Sequence, residues 1–265
     1  MFWVRFRSSI ILMAVAITTI VLGGNVLFAT ILAISLIGLM ELYRSINMHK
    51  TLLGYVGYIA CIVLDLLILF KYENLNVLLF NTFLILLMLI YVFAYPKYKI
   101  EHIAIIFFGL FYVAVMLSFI YKVRMLHDGS LLVWLIFIGA WGSDTCAYCV
   151  GMLFGKHKFL PKLSPKKSLE GCIGGVVGAA LIGFLYATIF KDSIIGVKHP
   201  QMAYAIICGA SSVISQLGDL AASAIKRNHD LKDFGKLIPG HGGILDRFDS
   251  IIFVAPIVYA LSEIL

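Results

Sequence analysis

The sequence has few charged residues, only 13% of its 265 residues, where soluble domains have roughly a quarter. In their place, 62% of the residues are hydrophobic, and the mean hydropathy is +1.00. A globule of 29.4 kDa cannot bury so much apolar surface, so most of it must face lipid. The composition therefore excludes a soluble enzyme and predicts an all-α polytopic integral membrane protein.

Cysteine is scarce and odd in number, since the chain has five, all in or beside apolar stretches. An odd set cannot form a complete disulfide framework, so we interpret the cysteines as reduced, small apolar side chains. Cys146 and Cys149 form a CxxC pair, but the sequence offers no second pair or histidine cluster to complete a zinc site. Internal repeats and low-complexity segments are also absent, so we predict no separate soluble domain.

Long apolar runs predict nine membrane-spanning helices. The first run, 8–40, is uncharged and would be about 50 Å long as one helix, beyond a hydrocarbon core of about 30 Å. We therefore predict a break at Gly23-Gly24-Asn25, and an uncleaved first span rather than a signal peptide. The other predicted spans are 51–70, 75–95, 103–121, 131–153, 172–190, 201–224 and 248–264.

Basic residues are unevenly distributed, and this asymmetry predicts the orientation. The N-terminal segment and the connections 41–50, 96–102, 154–171 and 225–247 share one side and hold 16 of the 21 Lys and Arg residues. The positive-inside rule places this side, with the N-terminus, in the cytoplasm and the C-terminus on the opposite side. We thus expect a multi-pass inner (cytoplasmic) membrane protein whose functional site faces the cytoplasm.

We treat residues 1–265 as a single membrane domain. In it, residues 1–130 form lipid-facing scaffold helices, and residues 131–265 form the catalytic helices with the two large basic loops. Glycines along the seventh span give it a small-residue face, which we interpret as a helix-packing surface. The functional residues are expected in the second part of the chain.

Acidic residues within spans are expensive in hydrocarbon, by about 2.5 to 3.5 kcal/mol on insertion scales, so each needs a partner or a function. Asp65 has no local motif around it, and a hydrogen bond between helices accounts for it best. Asp144, Asp219 and Asp246 instead flank the two basic loops. These three residues are the candidates for chemistry.

The segment from 211 to 249 is the most informative. Asp219, Ser223 and Lys226 lie along one helical face, and a glycine-rich turn follows whose backbone N–H groups suit a phosphate. Carboxylates with glycines and cations at a membrane surface favour a polyphosphate held through Mg²⁺. A solvated loop bound to anionic lipid is the alternative, but it explains the lysines and not the acidic residues.

The earlier basic loop contains a second constellation. Asp144 and Tyr148 lie one turn apart on one helical face, and several lysines follow between 156 and 167. Taken alone, this loop is equally consistent with a phospholipid-headgroup site and with a positive-inside anchor.

At these residues the sequence resembles the CDP-diacylglycerol synthases, also called phosphatidate cytidylyltransferases. The family signature, S-x-aliphatic-K-R-x4-K-D-x-small-x2-aliphatic-P-x-H-G-G-aliphatic-x-D-R-x-D, is matched at every specified position from Ser223 to Asp249. The SPxK-S/T-x-E-G element and the element around Asp144 are also similar. Ser168, where the family more often has Thr, and Cys146, where a smaller residue is usual, are minor departures. The first hundred residues resemble the family only in their hydrophobic pattern.

The resemblance implies that CTP and phosphatidate react to give CDP-diacylglycerol and pyrophosphate. It also implies Mg²⁺ as cofactor, with Asp219 and Asp246 as ligands of a paired-metal centre whose second cation could be K⁺, and a homodimer. The implied partners are the two substrates and the bilayer, with no nucleic acid.

On this basis each candidate residue receives a role. Asp219 and Asp246 are assigned to metal, Asp144 to a secondary polar contribution, and Asp249 either to metal or to holding Arg247 or the loop. His241 either binds phosphate or caps backbone groups of its turn. The residues assigned to phosphates or to substrate binding are Ser223, Lys226, Arg227, Lys232, His241, Gly242, Gly243 and Arg247. Those assigned to nucleotide or headgroup are Ser164, Lys167 and Glu170.

Two other functions remain open at this point. A CTP-dependent lipid kinase would transfer the γ-phosphate and release CDP instead of pyrophosphate. A carrier for an anionic metabolite would use Asp144 and Asp219 as ion-coupling groups, but it predicts matched interrupted helices in two halves of the chain, which the sequence does not contain.

Overall fold

The computed structural model of the chain describes residues 2–161, 163–240 and 242–265, and it describes the side chains of all of these except residues 2–6 and 9. His241, one of the predicted substrate-binding residues, lies outside the described residues.

The described residues form nine helical segments, in the order that the sequence predicts. Two of the segments contain a π-helical turn between two α-helices. The first π-turn, Leu110–Val115, joins α5 (Ile100–Gly109) to α6 (Met116–Met125), and the second, Ile138–Gly142, joins α7 (Gly129–Phe137) to α8 (Ser143–Phe154). The α-helices are α1 (Phe2–Leu22), α2 (Gly24–Ser45), α3 (Leu52–Leu69), α4 (Asn76–Phe93), α5 (Ile100–Gly109), α6 (Met116–Met125), α7 (Gly129–Phe137), α8 (Ser143–Phe154), α9 (Leu169–Ile189), α10 (Pro200–Asn228) and α11 (Leu245–Ile264). Short 3-10 turns lie at Glu73–Leu75 and Lys191–Ser193.

Seven of these segments are long and apolar enough to cross a membrane. The other two are α1, whose apolar part is Ile10–Leu22, and α11, which begins with several charged residues. The predicted all-α polytopic fold is therefore confirmed, and the protein is a multi-pass membrane protein. The cytoplasmic position of its N-terminus stays a prediction.

The predicted break in the first apolar run lies where the glycines are. Helix α1 ends at Leu22 and α2 begins at Gly24, with φ of 62° at Gly23 and 47° at Gly24. Residues with a Cβ adopt this left-handed region at a cost, whereas glycine does not. The two glycines thus divide one long run into two helices.

A two-stranded antiparallel hairpin, which the sequence analysis did not predict, interrupts the helical pattern. It consists of β1 (Lys158–Leu160) and β2 (Ser164–Ser168), within the first large basic loop. Ser168 ends the hairpin and caps α9, because its Oγ accepts a hydrogen bond from the Gly171 N–H at 3.2 Å. Three lysines of this loop, Lys158, Lys166 and Lys167, therefore lie on strands.

The chain folds into two compact units, each made of two separate stretches. The first unit comprises Met1–Ser118 and His229–Arg247, and the second comprises Phe119–Asn228 and Phe248–Leu265. The predicted division at residue 130 into scaffold and catalytic helices stays a prediction.

Buried Tyr43 lies at the centre of the first unit. Its hydroxyl donates a hydrogen bond to the Ile106 carbonyl at 3.0 Å, and its ring fills the space beside Gly57 and Gly109. The phenol therefore links α2 to α5 and packs against α3.

Helix α9 lies at the centre of the second unit, where it packs against α8 and α10 through its small residues. A Cβ on Gly178 would lie 2.5 Å from the side chain of Cys146, and one on Gly183 would lie 2.7 Å from the Cys208 Sγ. The predicted packing role of the α9 glycines is therefore confirmed. All five cysteines are free.

Candidate functional site

A cavity of about 400 Å³ lies in the second unit, beside α8, β2 and the start of α9. Charged, small and apolar side chains share its lining. Such a mixture suits a ligand that has both an anionic group and an apolar part. The lining residues are Asp144, Ala147, Tyr148, Gly151, Met152, Lys166, Lys167, Ser168, Gly171, Cys172 and Gln216.

The charged groups at this cavity come from both predicted constellations. Lys167 Nζ, on β2, lies 2.6 Å from Asp219 Oδ2, on α10. Asp144 on α8 lies within electrostatic range of both side chains. A charge-assisted contact this short fixes the orientation of both partners. The fold therefore brings together three residues that the sequence analysis assigned to different motifs.

Asp144 is oriented by the beginning of α8. The preceding residue, Ser143, is buried, and its Oγ lies 2.6 Å from the Ser212 Oγ on α10. This hydrogen bond connects the two helices one residue away from the carboxylate. Tyr148, one turn further along α8, lines the same cavity, so the predicted shared face of Asp144 and Tyr148 is confirmed.

Glu170 in the first turn of α9 supports the start of the hairpin. Its Oε2 accepts hydrogen bonds from the backbone N–H groups of Lys156 at 3.1 Å and His157 at 3.2 Å. Its Oε1 lies 2.6 Å from the His157 Nδ1. Ser164 begins β2. The predicted contacts of Glu170 and Ser164 with nucleotide or headgroup stay predictions, and the observed contacts of Glu170 are structural.

The loop between α10 and α11, in the first unit, contains most of the signature segment. Asp246 is 6% exposed, and its Oδ2 accepts hydrogen bonds from the Phe234 N–H at 2.8 Å and the Gly243 N–H at 3.0 Å. Gly242 has a φ of 88°, and a Cβ there would lie 2.9 Å from the same oxygen. Only glycine fits at this position. Asp246 therefore closes the loop onto itself, and the metal role of Asp246 and the phosphate roles of Gly242 and Gly243 stay predictions.

An open cleft of about 610 Å³ adjoins this loop. It contains three cationic side chains and one carboxylate, a balance that favours an anionic ligand. Two of the predicted phosphate-binding residues, Lys232 and Arg247, are brought together here, and both are exposed. The residues lining the cleft are Lys232, Asp233, Gly235, Lys236, Ile238, Gly240, Gly242 and Arg247.

The last turns of α10 contain Ser223, Lys226 and Arg227. The helix continues to Asn228, beyond the predicted end of the span at residue 224, so all three residues are helical. Ser223 and Lys226 are half-buried, and Arg227 is exposed. The helical spacing continues one face from Asp219 through Ser223 to Lys226.

A divalent cation in the second unit would depend on two carboxylates and on substrate oxygens. Within the ranges that the structure describes, no group of three or more His, Cys, Asp or Glu residues could hold a metal ion. Asp144 and Asp219 nevertheless meet the usual need of Mg²⁺, which is one or two carboxylates together with substrate phosphates. Asp249 Oδ1 accepts a hydrogen bond from the Ser250 N–H at 2.8 Å, and its assignment stays open.

Glu41, on α2, contacts the end of the loop between α10 and α11, and the sequence analysis missed it. It is 1% exposed, and its two carboxylate oxygens accept hydrogen bonds from the Ile244 N–H at 3.1 Å and the Leu245 N–H at 2.9 Å. The sequence feature that could have identified Glu41 is its position as an acidic residue directly after the long uncharged run 8–40. It was assigned to a connection, whereas α2 continues to Ser45.

Comparison with known proteins identifies the family of this chain. The family described as the cytidylyltransferase family matches residues 3–265. The chain belongs to this family. As a cytidylyltransferase it is a nucleotidyltransferase enzyme, which confirms the resemblance inferred from the signature segment.

Individual relatives extend the cytidylyltransferase match. A phosphatidate cytidylyltransferase from Staphylococcus haemolyticus is 32% identical over 261 residues, which cover 97% of this chain and 98% of the relative. Proteins of the same name from Bacillus subtilis and Thermotoga maritima are 47% and 38% identical over 121 and 131 residues. Those two matches cover 46% and 49% of this chain, and 43% and 48% of the relatives.

Proposed function

We propose that the protein is a phosphatidate cytidylyltransferase, which converts CTP and phosphatidate to CDP-diacylglycerol and pyrophosphate. The cavity of the second unit is the observation that supports this most directly. It presents lysines and carboxylates beside apolar side chains, which suits a phosphate that is attached to a lipid. The name of the Staphylococcus haemolyticus relative, which is matched over 98% of its length, supports the same reaction.

The proposed reaction is an in-line substitution at phosphorus. An oxygen of the lipid phosphate forms a bond to the α-phosphorus of CTP, and the bond to the bridging oxygen breaks, so that pyrophosphate leaves with the electron pair. A phosphate monoester has its second pKa near 6 and is largely dianionic at neutral pH, so no strong base is needed. The main barrier is the repulsion between two polyanions.

The residues of the chain would lower this repulsion by holding positive charge at fixed positions. Lys166 and Lys167 would contact phosphate oxygens in the cavity, and the family resemblance assigns phosphate binding also to Lys226, Arg227, Lys232 and Arg247. The Lys167–Asp219 contact would keep the ammonium group oriented before substrate binds.

Mg²⁺, when bound, would supply further charge neutralisation at the reacting phosphates. Asp144 and Asp219 are suited to hold it, because two neighbouring carboxylates and substrate oxygens make an acceptable ligand set. Ligation by Asp246, a second cation such as K⁺ and a homodimer rest on the family resemblance alone and stay predictions.

The site is proposed to face the cytoplasm at the boundary of the inner membrane. The two most basic connections, 154–171 and 225–247, contain the lysines of the cavity and of the cleft. The positive-inside rule assigns these connections to the cytoplasm. Phosphatidate would then arrive from the bilayer and CTP from water.

The test is an assay of the purified protein in detergent with α-labelled CTP, phosphatidate and Mg²⁺. We expect label in the lipid phase and pyrophosphate in solution, and we expect Asp246→Asn to abolish both while the protein remains folded. Asp192→Asn, an exposed acidic residue in a connection on the other side, is the matched control. Release of CDP without lipid label would indicate γ-phosphoryl transfer, and the absence of both products would favour a carrier.

A further inference from the structure

Glu41 connects the helix α2, far away in sequence, to the loop that carries the signature segment. We propose that Glu41 is a positioning residue, whose carboxylate fixes the backbone from Gly243 to Arg247 and so orients Arg247 at the basic cleft. The expected change in kinetics rests on the proposed function, whereas the expected change in the order of the loop can be measured without it.

The contacts of Glu41 are directional. The Ile244 and Leu245 N–H groups belong to the beginning of α11, where backbone donors have no partner within the helix. Each one donates to a different oxygen of Glu41, and a carboxylate is also favoured by the positive end of a helix. The preceding N–H, of Gly243, donates to Asp246. Three successive backbone donors are therefore held by two carboxylates.

The space around the carboxylate is closed by glycines. A Cβ on Gly235 would overlap the Glu41 Oε1, and a Cβ on Gly243 would overlap both carboxylate oxygens. Neither glycine has a positive φ, so close approach to Glu41, rather than backbone conformation, accounts for glycine at both positions. Glu41 therefore fills a slot that the loop itself forms.

This arrangement determines where the functional side chains of the loop can lie. Gly235 and Arg247 both line the basic cleft, and Gly235 and Gly243 both contact Glu41. An apolar side chain could fill the slot, but it could not accept the two N–H groups that set the start of α11. Glu41 acts through Arg247 and is not itself expected to touch substrate.

Glu41→Gln is the most informative variant, because it preserves size but replaces one acceptor oxygen by an NH₂ group that faces a backbone donor. We expect kcat/KM for CTP to fall by about 10- to 100-fold, with the KM for phosphatidate changed less than twofold. A fall in kcat with both KM values unchanged would indicate loss of active protein and would overturn the positioning role.

The matched control is Asp65→Asn, the same acid-to-amide change at a buried carboxyl group of the first unit. Asp65 is 3% exposed, and its Oδ2 has no hydrogen-bond partner among the residues that the structure describes. We expect this variant to keep the kinetic constants of the wild-type protein within about twofold.

Limited trypsin digestion tests the positioning role without reference to activity. Lys232 and Lys236 are exposed in the loop, and Lys71 is an exposed reference site elsewhere in the first unit. We expect Glu41→Gln to speed cleavage after Lys232 and Lys236 about tenfold and to leave cleavage after Lys71 unchanged. Equal rates in variant and wild-type protein, or faster cleavage at all three sites, would overturn the proposal.

A double-mutant cycle tests the contact between Glu41 and Gly235 directly. Gly235→Ala should lower kcat/KM for CTP in the wild-type background and have less than a twofold further effect in Glu41→Ala, because the overlapping carboxylate is gone. Additive effects would refute the contact. If wild-type protein transfers no label from α-labelled CTP to lipid, the proposed function fails, and the trypsin result still decides the role of Glu41.

Discussion

The cavity of the second unit and the basic loop of the first hold charged groups by different means. In the cavity, α8 presents Asp144, and an ion pair with Asp219 on α10 orients Lys167. In the loop, irregular backbone is held by buried carboxylates, Asp246 from its own segment and Glu41 from a distant helix. Packed helices and strands are thus enough to orient the charged side chains of the cavity, whereas the backbone of the loop also depends on a carboxylate from a distant helix.

Glycine has a different use in each region. Along α9 the glycines allow helices to approach, as at Gly178 beside Cys146. In the loop, Gly242 provides a positive φ, and Gly243 leaves room for a carboxylate. Glycine therefore allows close helix packing in α9, whereas in the loop it allows an unusual backbone conformation and leaves room for a buried carboxylate.

The largest effect is expected at the cavity. Asp219→Ala removes a carboxylate and leaves Lys167 without its 2.6 Å partner, so we expect turnover to fall by about 1000-fold. Transfer of label from α-labelled CTP to lipid measures this, with the folded state checked by size-exclusion chromatography. A loss below tenfold would show that the cleft of the first unit, and not the cavity, dominates charge stabilisation.

A smaller loss is expected from the partner of Asp219. Lys167→Met should lower kcat about 100-fold, and Lys167→Arg, which keeps the charge near Asp219, should retain activity within about tenfold of wild type. The kinetic constants of the two variants provide the comparison. Equal losses in both would mean that the shape of Lys167, and not its charge, is required.

The difference in glycine use can be tested by stability. Gly178→Ala should lower the free energy of unfolding by about 1 to 3 kcal/mol, because the new Cβ lies 2.5 Å from Cys146. Gly209→Ala is the matched control, since its Cβ would meet Ala180 at an ordinary 3.5 Å. Alanine favours the helix by about 0.5 to 1 kcal/mol there. Thermal unfolding in detergent should therefore move in opposite directions for the two variants.

The smallest effect is expected at a single exposed cation of the cleft. Lys232→Ala should raise the KM for CTP about threefold with kcat preserved, because one solvated charge contributes little to binding. Added salt should reduce the difference between variant and wild type. A change in kcat of more than tenfold would assign Lys232 to the reacting phosphates.

Much of the fold could be predicted because it depends on local properties of the sequence. Uninterrupted apolar runs identified the nine helical segments, the paired glycines located the break after Leu22, and helical spacing placed Asp144 and Tyr148 on one face. The hairpin at Lys158–Ser168 was missed because its strands are short and lie in a charged connection. The predicted span ended at residue 224, although the helical spacing of Asp219, Ser223 and Lys226 already indicated that the helix continues beyond it, as α10 does to Asn228.

The candidate site was predictable only as a set of residue types. Joining Lys167 to Asp219 requires tertiary packing of β2 and α10, which no spacing in the sequence encodes. Glu41 was missed for the same reason, since its partners lie more than 200 residues away in the chain. A signature segment identifies its own residues but not the distant residue that supports them.

The π-helical turn Ile138–Gly142 has a consequence for how tolerant this protein is to deletions. A π-turn accommodates about one more residue than an α-helical turn within the same full rotation, so removing one residue there would restore continuous α-helix and leave the orientation of all that follows nearly unchanged. Asp144 and Tyr148 would then still face the cavity, whereas removing one residue from an ordinary α-helical turn would rotate the following residues by about 100°. In both cases the segment would shorten by no more than about 1.5 Å and would still span a membrane. The length of the segment determines whether it can span the bilayer, and the rotation of its residues about the helix axis determines which side chains face the cavity.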